Sequence, residues 1–339
     1  MTARDSASGR VVGIIVVSYQ SAALTVECLA SIAAARARSP QCLRCVVVDN
    51  ASGDAPVVQA AISTSGWQDW LRVVVAPRNG GFASGNNLGL AELERDGRCD
   101  FVHLLNPDTV LHSGAVDVLV AFFDRYPRAG IAGGVFENGD GSEWAIAFRF
   151  PSVLGEFEQG VRLELISRVL SPWRVPMHMG RNEAAVDWVS GASMMVRREV
   201  FSRIGGLDEA FFLYFEETEF CFRAKAAGFE VWYVPFSRVT HIAGQSTKVT
   251  ERNAGPRRLP PYWFDSRRLY FVLTRGWAYA ALADVMAIAG GWLGLAKSAF
   301  LGRLGTHVPY FLRDLLCHSA MRQVRLVGGR AGGSTPRFD

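Results

Sequence analysis

The sequence predicts an α/β protein: a mostly parallel central sheet flanked by helices, followed by a helical C-terminal extension. Three observations carry that expectation. Apolar β-branched runs alternate with segments of helical period over residues 11–136, the rhythm of βαβ units. Those runs are apolar throughout rather than alternating, as in strands covered on both faces. Charge is also unevenly divided. Residues 1–245 carry 22 Lys and Arg against 27 Asp and Glu, a net −5, whereas residues 246–339 carry 14 against 5, a net +9. An acidic body with a basic appendage does not fit a uniformly basic nucleic-acid binder. With 339 residues, 49% hydrophobic and 20% charged, the chain can bury a large core, which excludes a disordered, collagen-like or disulfide-stapled protein.

The elements follow in order. Residues 11–18 (VVGIIVVS) read as a buried strand, 22–36 as a helix with Leu24, Cys28, Leu29 and Ile32 at helical spacing, and 43–49 as a second strand ending on a carboxylate. The run at 11–18 is too short for a signal-peptide core, so with six scattered cysteines the expected compartment is the reducing cytoplasm. Cys42 and Cys45 form a C-x-x-C without a second ligand pair, and a buried thiol is the better reading. Then come a helix at 56–63, a strand at 71–76, a glycine loop at 79–81 and a helix at 82–94. A strand at 100–105 ends at Asn106-Pro107-Asp108, and a helix at 115–126 and a strand at 130–136 close this half. Residues 137–187 lose the rhythm and carry scattered Gly and Pro, so loops and short helices are expected. Order returns with a strand at 188–197, a short helix at 199–204, a helix at 216–227 closed by Gly228, and a strand at 230–234 stopped by Pro235. A Pro-rich joint at 255–261 leads to two or three helical segments and a Gly/Ser/Pro tail over 328–339 that reads as disordered.

In an open parallel sheet, ligands bind beyond the carboxyl ends of the strands. Four polar clusters fall there: Ser18-Tyr19-Gln20, Asp49-Asn50, Asn79-Gly80-Gly81 and Asn106-Pro107-Asp108. Each alone is ordinary turn chemistry; four on one edge suggest a site. Asp49 can accept hydrogen bonds from a ring N–H or a ribose hydroxyl. Glycines 80 and 81 let backbone amides approach a diphosphate, the next helix points its N-terminus there, and Asn86 and Asn87 offer amides. Asp108 suits a hard cation such as Mg²⁺ or Mn²⁺. No G-x-G-x-x-G follows the first strand, which disfavours a nicotinamide dinucleotide site and an oxidoreductase. In FFLYFEETEFCFR, Glu216, Glu217 and Glu219 crowd a helix start. Glu219 can pair with Arg223 four residues on, whereas Glu216 or Glu217, raised in pKa by like charge and apolar rings, could serve as a general base.

Taken together, VVGIIVVSYQ, VVVDNASGD, PRNGGFASGNNLGL, FVHLLNPDTVL, the stretch from Trp188 to Pro235 and HIAGQS resemble a family 2 glycosyltransferase of the GT-A fold (Rossmann-like), in the branch of rhamnosyl- and galactofuranosyl-type transferases, over residues 11–246. The resemblance implies a GT-A domain over 1–245, with a donor half at about 11–136 and an acceptor half at about 137–245. It implies that Asp49 contacts the donor base or ribose and that Asn106-Pro107-Asp108 occupies the place of the metal-binding D-x-D. Glu217 would stand at the base position, with Glu216 beside it, and His241 would join the metal or diphosphate site. Trp188 and Gly191 would wall the acceptor pocket. Three departures stand out: Gln20 where the family has Asn, Asn106 where it has Asp, and an all-glutamate Glu216-Glu217-Thr218-Glu219 in place of Glu-Asp-x-Asp.

The implied activity is inverting transfer of a rhamnose-like or other hexose from a dTDP- or UDP-linked donor to a glycan or polyprenyl-linked acceptor, in cell-surface polysaccharide assembly. The competing reading is a non-catalytic nucleotide-sugar or glycan-binding module. In the basic extension over 246–327, WAYAALADVMAIAGGWLGLA (277–296) is long enough to span a bilayer, yet it is interrupted by Asp284 and Gly290-Gly291. Flanking Arg267, Arg268, Arg275 and Arg303 suit a segment lying on an anionic membrane at its cytoplasmic face. Packing on the body, or on a second copy in a homo-oligomer, is the alternative.

Overall fold

The computed structural model describes residues 9–138, 141–144, 147–161, 163–241, 257–302 and 308–322. The β-branched runs form β1 (Val11–Ser18), β2 (Cys42–Asp49), β3 (Leu71–Val75) and β4 (Phe101–Leu105), separated by α1 (Ala22–Arg38), α2 (Ala55–Ser65) and α3 (Gly81–Arg95). After a short β5 (Thr109–Leu111) come α4 (Ala115–Arg125) and β6 (Ala129–Glu137). The irregular middle consists of short pieces: β7 (Glu143–Trp144), β8 (Ala147–Phe148), α5 (Val153–Val161), α6 (Glu164–Val169), a 3-10 turn (Ser171–Trp173), β9 (Pro176–Met177) and β10 (Ala184–Val186). Then follow β11 (Ser193–Arg197), α7 (Arg198–Ile204), α8 (Glu216–Ala226) and β12 (Glu230–His241), and finally α9 (Pro261–Arg275), α10 (Trp277–Phe300) and α11 (Phe311–Cys317).

The main sheet runs β10-β12-β6-β11-β4-β1-β2-β3. β3, β2, β1 and β4 are parallel, β11 is antiparallel to both its neighbours, and β12 runs parallel to β6. Ser18 is in register with Asp49, and Leu105 with both Val16 and Ser193. The carboxyl ends of β1, β2 and β4 therefore share one edge with the start of β11. β12 ends on the same edge, where His241 pairs with Thr109, the residue after Asp108.

Two strand boundaries differ from expectation. The strand expected over 188–197 begins only at Ser193, because Trp188 to Ala192 loop across the sheet edge. The strand expected to stop at Pro235 continues to His241. Its ladder to β6 shifts register between Tyr233 and Arg238, and Pro235 lies in that irregularity, where it withholds no ladder hydrogen bond. Without those extra residues His241 would not reach the site edge.

The C-terminal helices pack on the body. α10 crosses α5 at backbone distance: a β-carbon at Gly290 would lie 2.4 Å from the Phe157 carbonyl oxygen, and one at Gly294 2.2 Å from that of Gly160. At this crossing Arg267 of α9 is buried. It donates from Nε and Nη2 to Glu156 Oε2 (3.0 and 2.8 Å) and from Nη1 to Asp284 Oδ1 (2.6 Å), and Asp284 Oδ2 accepts from the Ala320 amide at 2.7 Å. The acidic interruption of the apolar run is thus a buried tie between α5, α9 and α10. Arg267→Met leaves two buried carboxylates without a cation, and we expect a loss of about 3–5 kcal/mol in urea unfolding, read as a lower midpoint.

Candidate active site

The donor-side cluster is more tightly self-bonded than its sequence suggests. Asp49 Oδ1 accepts from the Ser52 amide (2.8 Å) and hydroxyl (2.6 Å), and Oδ2 from the Ala55 amide (3.0 Å). Burial pushes its pKa up, but these donors outweigh burial and hold the carboxyl below its ordinary value. Asn50 donates to Asn79 Oδ1 (3.0 Å) and the Gly81 carbonyl (3.1 Å). The Gly80 amide in turn donates to Asn50 Oδ1 (3.2 Å), and the Gly81 amide to Asn79 Oδ1 (3.0 Å). The two asparagines therefore clamp the glycine loop, and the amides expected to face a diphosphate are spent within it. Gly81 itself is obligatory: its φ is +82° and a β-carbon would lie 1.8 Å from the Phe212 carbonyl oxygen, which accepts from the Phe82 amide at 2.9 Å.

Other expected donor residues divide similarly. Ser18 Oγ is buried, accepting from Thr25 Oγ1 (2.9 Å) and contacting Ser21 Oγ and Asp54 Oδ2. Asn87 does not offer its amide to a ligand. Its Nδ2 donates to the Leu207 carbonyl (2.8 Å) and Glu209 (3.0 Å), and its Oδ1 accepts from the Leu207 amide (3.0 Å), so it fastens that loop to α3. Asn86 donates back to the Phe82 carbonyl (2.9 Å), but its Oδ1 is buried without a hydrogen-bond partner among the described residues. Tyr19 is exposed at the edge. Asn106 is fixed through its backbone, its amide donating to the Ala192 carbonyl (3.0 Å) and its carbonyl accepting from Thr109 Oγ1 (2.6 Å).

Asp108 is buried, and its Oδ1 lies 3.3 Å from His241 Nε2. That oxygen and His241 Nδ1 have no hydrogen-bond partner among the described residues, where no group of three or more His, Cys, Asp or Glu gathers as a self-sufficient metal site. Phe136 and Trp144 flank the imidazole, with ring centroids at 5.2 and 6.4 Å. An orphaned carboxylate oxygen beside an imidazole fits a divalent cation that takes its remaining ligands from a diphosphate and water. Asp108 and His241, 133 positions apart in the chain, are brought together by β5 pairing with β12.

The acidic pair is presented by an unusual turn. Tyr214 and Phe215 both have φ of +69°, and α8 begins immediately after them with Glu216 and Glu217. This left-handed pair is braced by α9. The Phe215 ring packs on Trp263 and Tyr270 (both 5.7 Å), Tyr262 packs on Phe212 (5.4 Å) and Tyr214 (6.2 Å), and Ser266 Oγ donates to the Leu213 carbonyl at 3.0 Å. The sequence reading missed these bracing residues. The signal available was the aromatic density of PPYWFDSRRLYF, which read only as a helical segment.

Burial raises the pKa of both glutamates. Glu216 is raised well above its ordinary value, with the charge of Glu217 adding to burial; at Glu217 the backbone amides of Glu217, Gly191 and Thr218 pull the other way. Each has an Oε2 without a hydrogen-bond partner among the described residues. Glu216 is fully buried, whereas Glu217 is only half-buried although its Oε2 is shielded from solvent. Gly191 leaves room beside it, since a β-carbon there would sit 3.6 Å from that of Glu217 and 3.1 Å from the Phe82 ring. Trp188 stacks on Phe148 at 4.1 Å and donates from Nε1 to the Arg149 carbonyl (2.9 Å), fixing the adjacent wall. Glu219 pairs with Arg223 (2.6 Å), as its spacing indicated, and Arg223 also donates to the Ile204 and Gly206 carbonyls.

A carboxyl whose pKa is raised by folding favours the folded state while protonated and costs stability once ionised. The contribution is whole below the ordinary value of 4.5 and is lost as pH rises through the raised one. A Glu216→Gln protein should therefore gain in melting temperature relative to the parent as pH rises from about that value, and thermal melts across a pH series check this.

The model of the Glycosyltransferase like family 2 matches residues 9–255. An N-acetylglucosaminyl-diphospho-decaprenol L-rhamnosyltransferase of Mycobacterium tuberculosis is 28% identical over 330 residues, covering 94% of this chain and 99% of that protein. Rhamnosyltransferase WbbL of Escherichia coli is 27% identical over 168 residues, 48% of this chain and 61% of that one. Among solved structures, the mannosyltransferase PcManGT of Pyrobaculum calidifontis with GDP-Man and Mn²⁺ superposes with a TM-score of 0.54 at 16% identity, over 94% of this chain and 88% of that one. GalNAc-T7 with UDP, GalNAc and Mn²⁺ gives 0.57 at 13% identity, over 91% and 57%. Matched through the whole sheet and both halves of its edge, the chain belongs to glycosyltransferase family 2 and is a glycosyltransferase of GT-A fold.

Proposed function

We propose that the protein is an inverting glycosyltransferase that moves a rhamnose-like or other hexose from a dTDP- or UDP-linked donor to a lipid-linked glycan at the cytoplasmic face of the membrane, in cell-surface polysaccharide assembly. The observation that carries the chemistry is Glu217: a half-buried carboxylate of raised pKa, with one oxygen free, beside Gly191 at the strand-end edge. The full-length likeness to a transferase named for a polyprenyl-diphosphate acceptor supports the acceptor class.

In this reading the Glu217 carboxylate takes the proton of the acceptor hydroxyl as the hydroxyl oxygen attacks the anomeric carbon. The new C–O bond forms on the face opposite the donor diphosphate, which leaves with the electrons of the broken bond. Burial raises the basicity of Glu217 against the pull of its backbone donors, and Glu216, more deeply buried, is raised further by the charge of Glu217. Asp108 Oδ1 and the His241 ring would hold Mg²⁺ or Mn²⁺, whose charge, when bound, offsets that of the diphosphate. Asp49, held ionised and immobile, presents its remaining lone pairs to the nucleoside, with Tyr19 exposed beside the same strand ends. Asn50 and Asn79 keep the loop between them in shape.

Glu217→Gln should lower kcat for sugar transfer by about 10²–10⁴ with little change in donor KM. Near-normal turnover there, with the loss seen in Glu216→Gln instead, would move the base to Glu216. A chelator should abolish nucleoside diphosphate release, and Mg²⁺ or Mn²⁺ should restore it; indifference to the chelator sinks the metal assignment. A thermal-shift screen of nucleoside diphosphate sugars with Mn²⁺ present identifies the donor. Binding without any release of nucleoside diphosphate would favour the non-catalytic module.

A further inference from the structure

The face that α10 turns to solvent is more apolar than the face it turns to the protein. Inward lie Ala283, Asp284, Ala287, Gly290, Gly294 and Ser298. Outward lie Leu282, Val285, Trp292, Leu293 and Phe300, with Trp292 62% and Phe300 91% exposed. An ordinary surface helix has the opposite arrangement. Trp277 at the start of α10 and Tyr310 and Leu316 of the α11 region are exposed as well. Only two side chains of α10 are formally charged, Asp284 and Lys297, and Asp284 is bonded inward to Arg267.

Charge indicates what covers this face. The three acidic residues of the described extension are each paired within it: Asp265 with Arg268 (2.9 Å), Asp284 with Arg267 (2.6 Å) and Asp314 with Arg258 (2.7 Å). Arg275, Arg313 and Arg322 are exposed. The net exposed charge of the described extension is therefore positive, which suits an anionic lipid headgroup layer and opposes a second copy presenting the same arginines. With 24 residues, α10 is roughly 36 Å long. Its inner face is locked to α5 by the glycine crossing and to α9 by Arg267, so it cannot be surrounded by lipid while the body stays folded.

We propose that α10, with the α11 region beside it, is a monotopic docking face: its outer stripe enters the headgroup–acyl boundary of an anionic leaflet, and the arginines around it meet lipid phosphates. The inference deepens the lipid-linked acceptor reading and rests on it for its purpose, though not for its measurement. α9 joins α10 through Gly276 and also braces the turn that carries Glu217, so docking fixes the height of the base above the membrane.

The test is flotation of the full chain with vesicles of phosphatidylcholine alone or mixed with phosphatidylglycerol. The protein should float with the anionic vesicles and far less with the neutral ones. Leu282→Glu/Trp292→Glu should cut the bound fraction at least about tenfold, since two buried apolar side chains are lost from the contact. Its melting temperature and donor hydrolysis should stay as in the parent. Failure of the parent to float, or a double variant that floats unchanged while a parent dimer in light scattering becomes a monomer, overturns the proposal. Flotation without transfer to a polyprenyl-linked acceptor would refute the acceptor reading alone.

Discussion

The acidic end of this site depends on a turn that cannot hold itself. Two consecutive non-glycine residues, Tyr214 and Phe215, sit in the left-handed region, a conformation costing about 1–3 kcal/mol apiece. The offset comes from α9, whose Tyr262, Trp263, Ser266 and Tyr270 grip the turn from outside. The same segment receives the glycine loop, since Phe82 donates to the Phe212 carbonyl. The glycine loop, the turn before Glu216 and the C-terminal helices are therefore one mechanical unit, although they lie near residues 80, 214 and 265. The change of composition near residue 245 marks a change of surface, while the packing crosses it through Phe211, Tyr270 and Phe271 in a shared core.

Within that frame, one type of group does two jobs. Asp49 and Glu217 are both acids at the sheet edge, both drawn partly out of water. Asp49 receives two hydrogen bonds from Ser52 in the β2–α2 loop and one from Ala55 at the start of α2, and its charge is stabilised. Glu217 lies beside Glu216 with an unsatisfied oxygen, and its charge is disfavoured. The first suits a fixed recognition group and the second an acceptor of protons; environment, not residue type, separates them.

The strands and the edge they share were legible in the sequence because buried parallel strands announce themselves as unbroken apolar runs, and a polar residue at the end of such a run marks the edge. What those polar residues do was not legible. Asn50 and Asn87 stand where a ligand contact would stand, yet each is consumed by a backbone it meets only after folding, and Asn79 is consumed by the Gly81 amide two residues on. Residue type and position give the location; for Asn50 and Asn87 the partner, thirty or more residues away, decides the use. Pro235 misled for a related reason: a proline ends a regular ladder, but an irregular one accommodates it and goes on to deliver His241. The brace of α9 on Phe215 is a contact between segments some fifty residues apart, and no periodicity within either segment encodes it.

In the extension, summed charge and hydropathy both average over residues that face inward. The +9 includes Arg267, which is buried and already balanced by Glu156 and Asp284, and Arg258 and Arg268, which are paired. The positive charge open to a partner is thus smaller than the sum and lies on the exposed arginines. The apolar run, conversely, is interrupted by Asp284 and two glycines. Asp284 and Gly290 are turned inward, where Asp284 finds Arg267 and Gly290 admits α5, while Gly291 faces Leu312 of α11. Removing them from the outer face leaves a stripe more apolar than the average of the helix. A helix that keeps its polar atoms for the protein and its large apolar side chains for the outside follows the logic of a surface that meets lipid. The interruption that argues against a bilayer span is therefore what fastens this outwardly apolar helix to the enzyme.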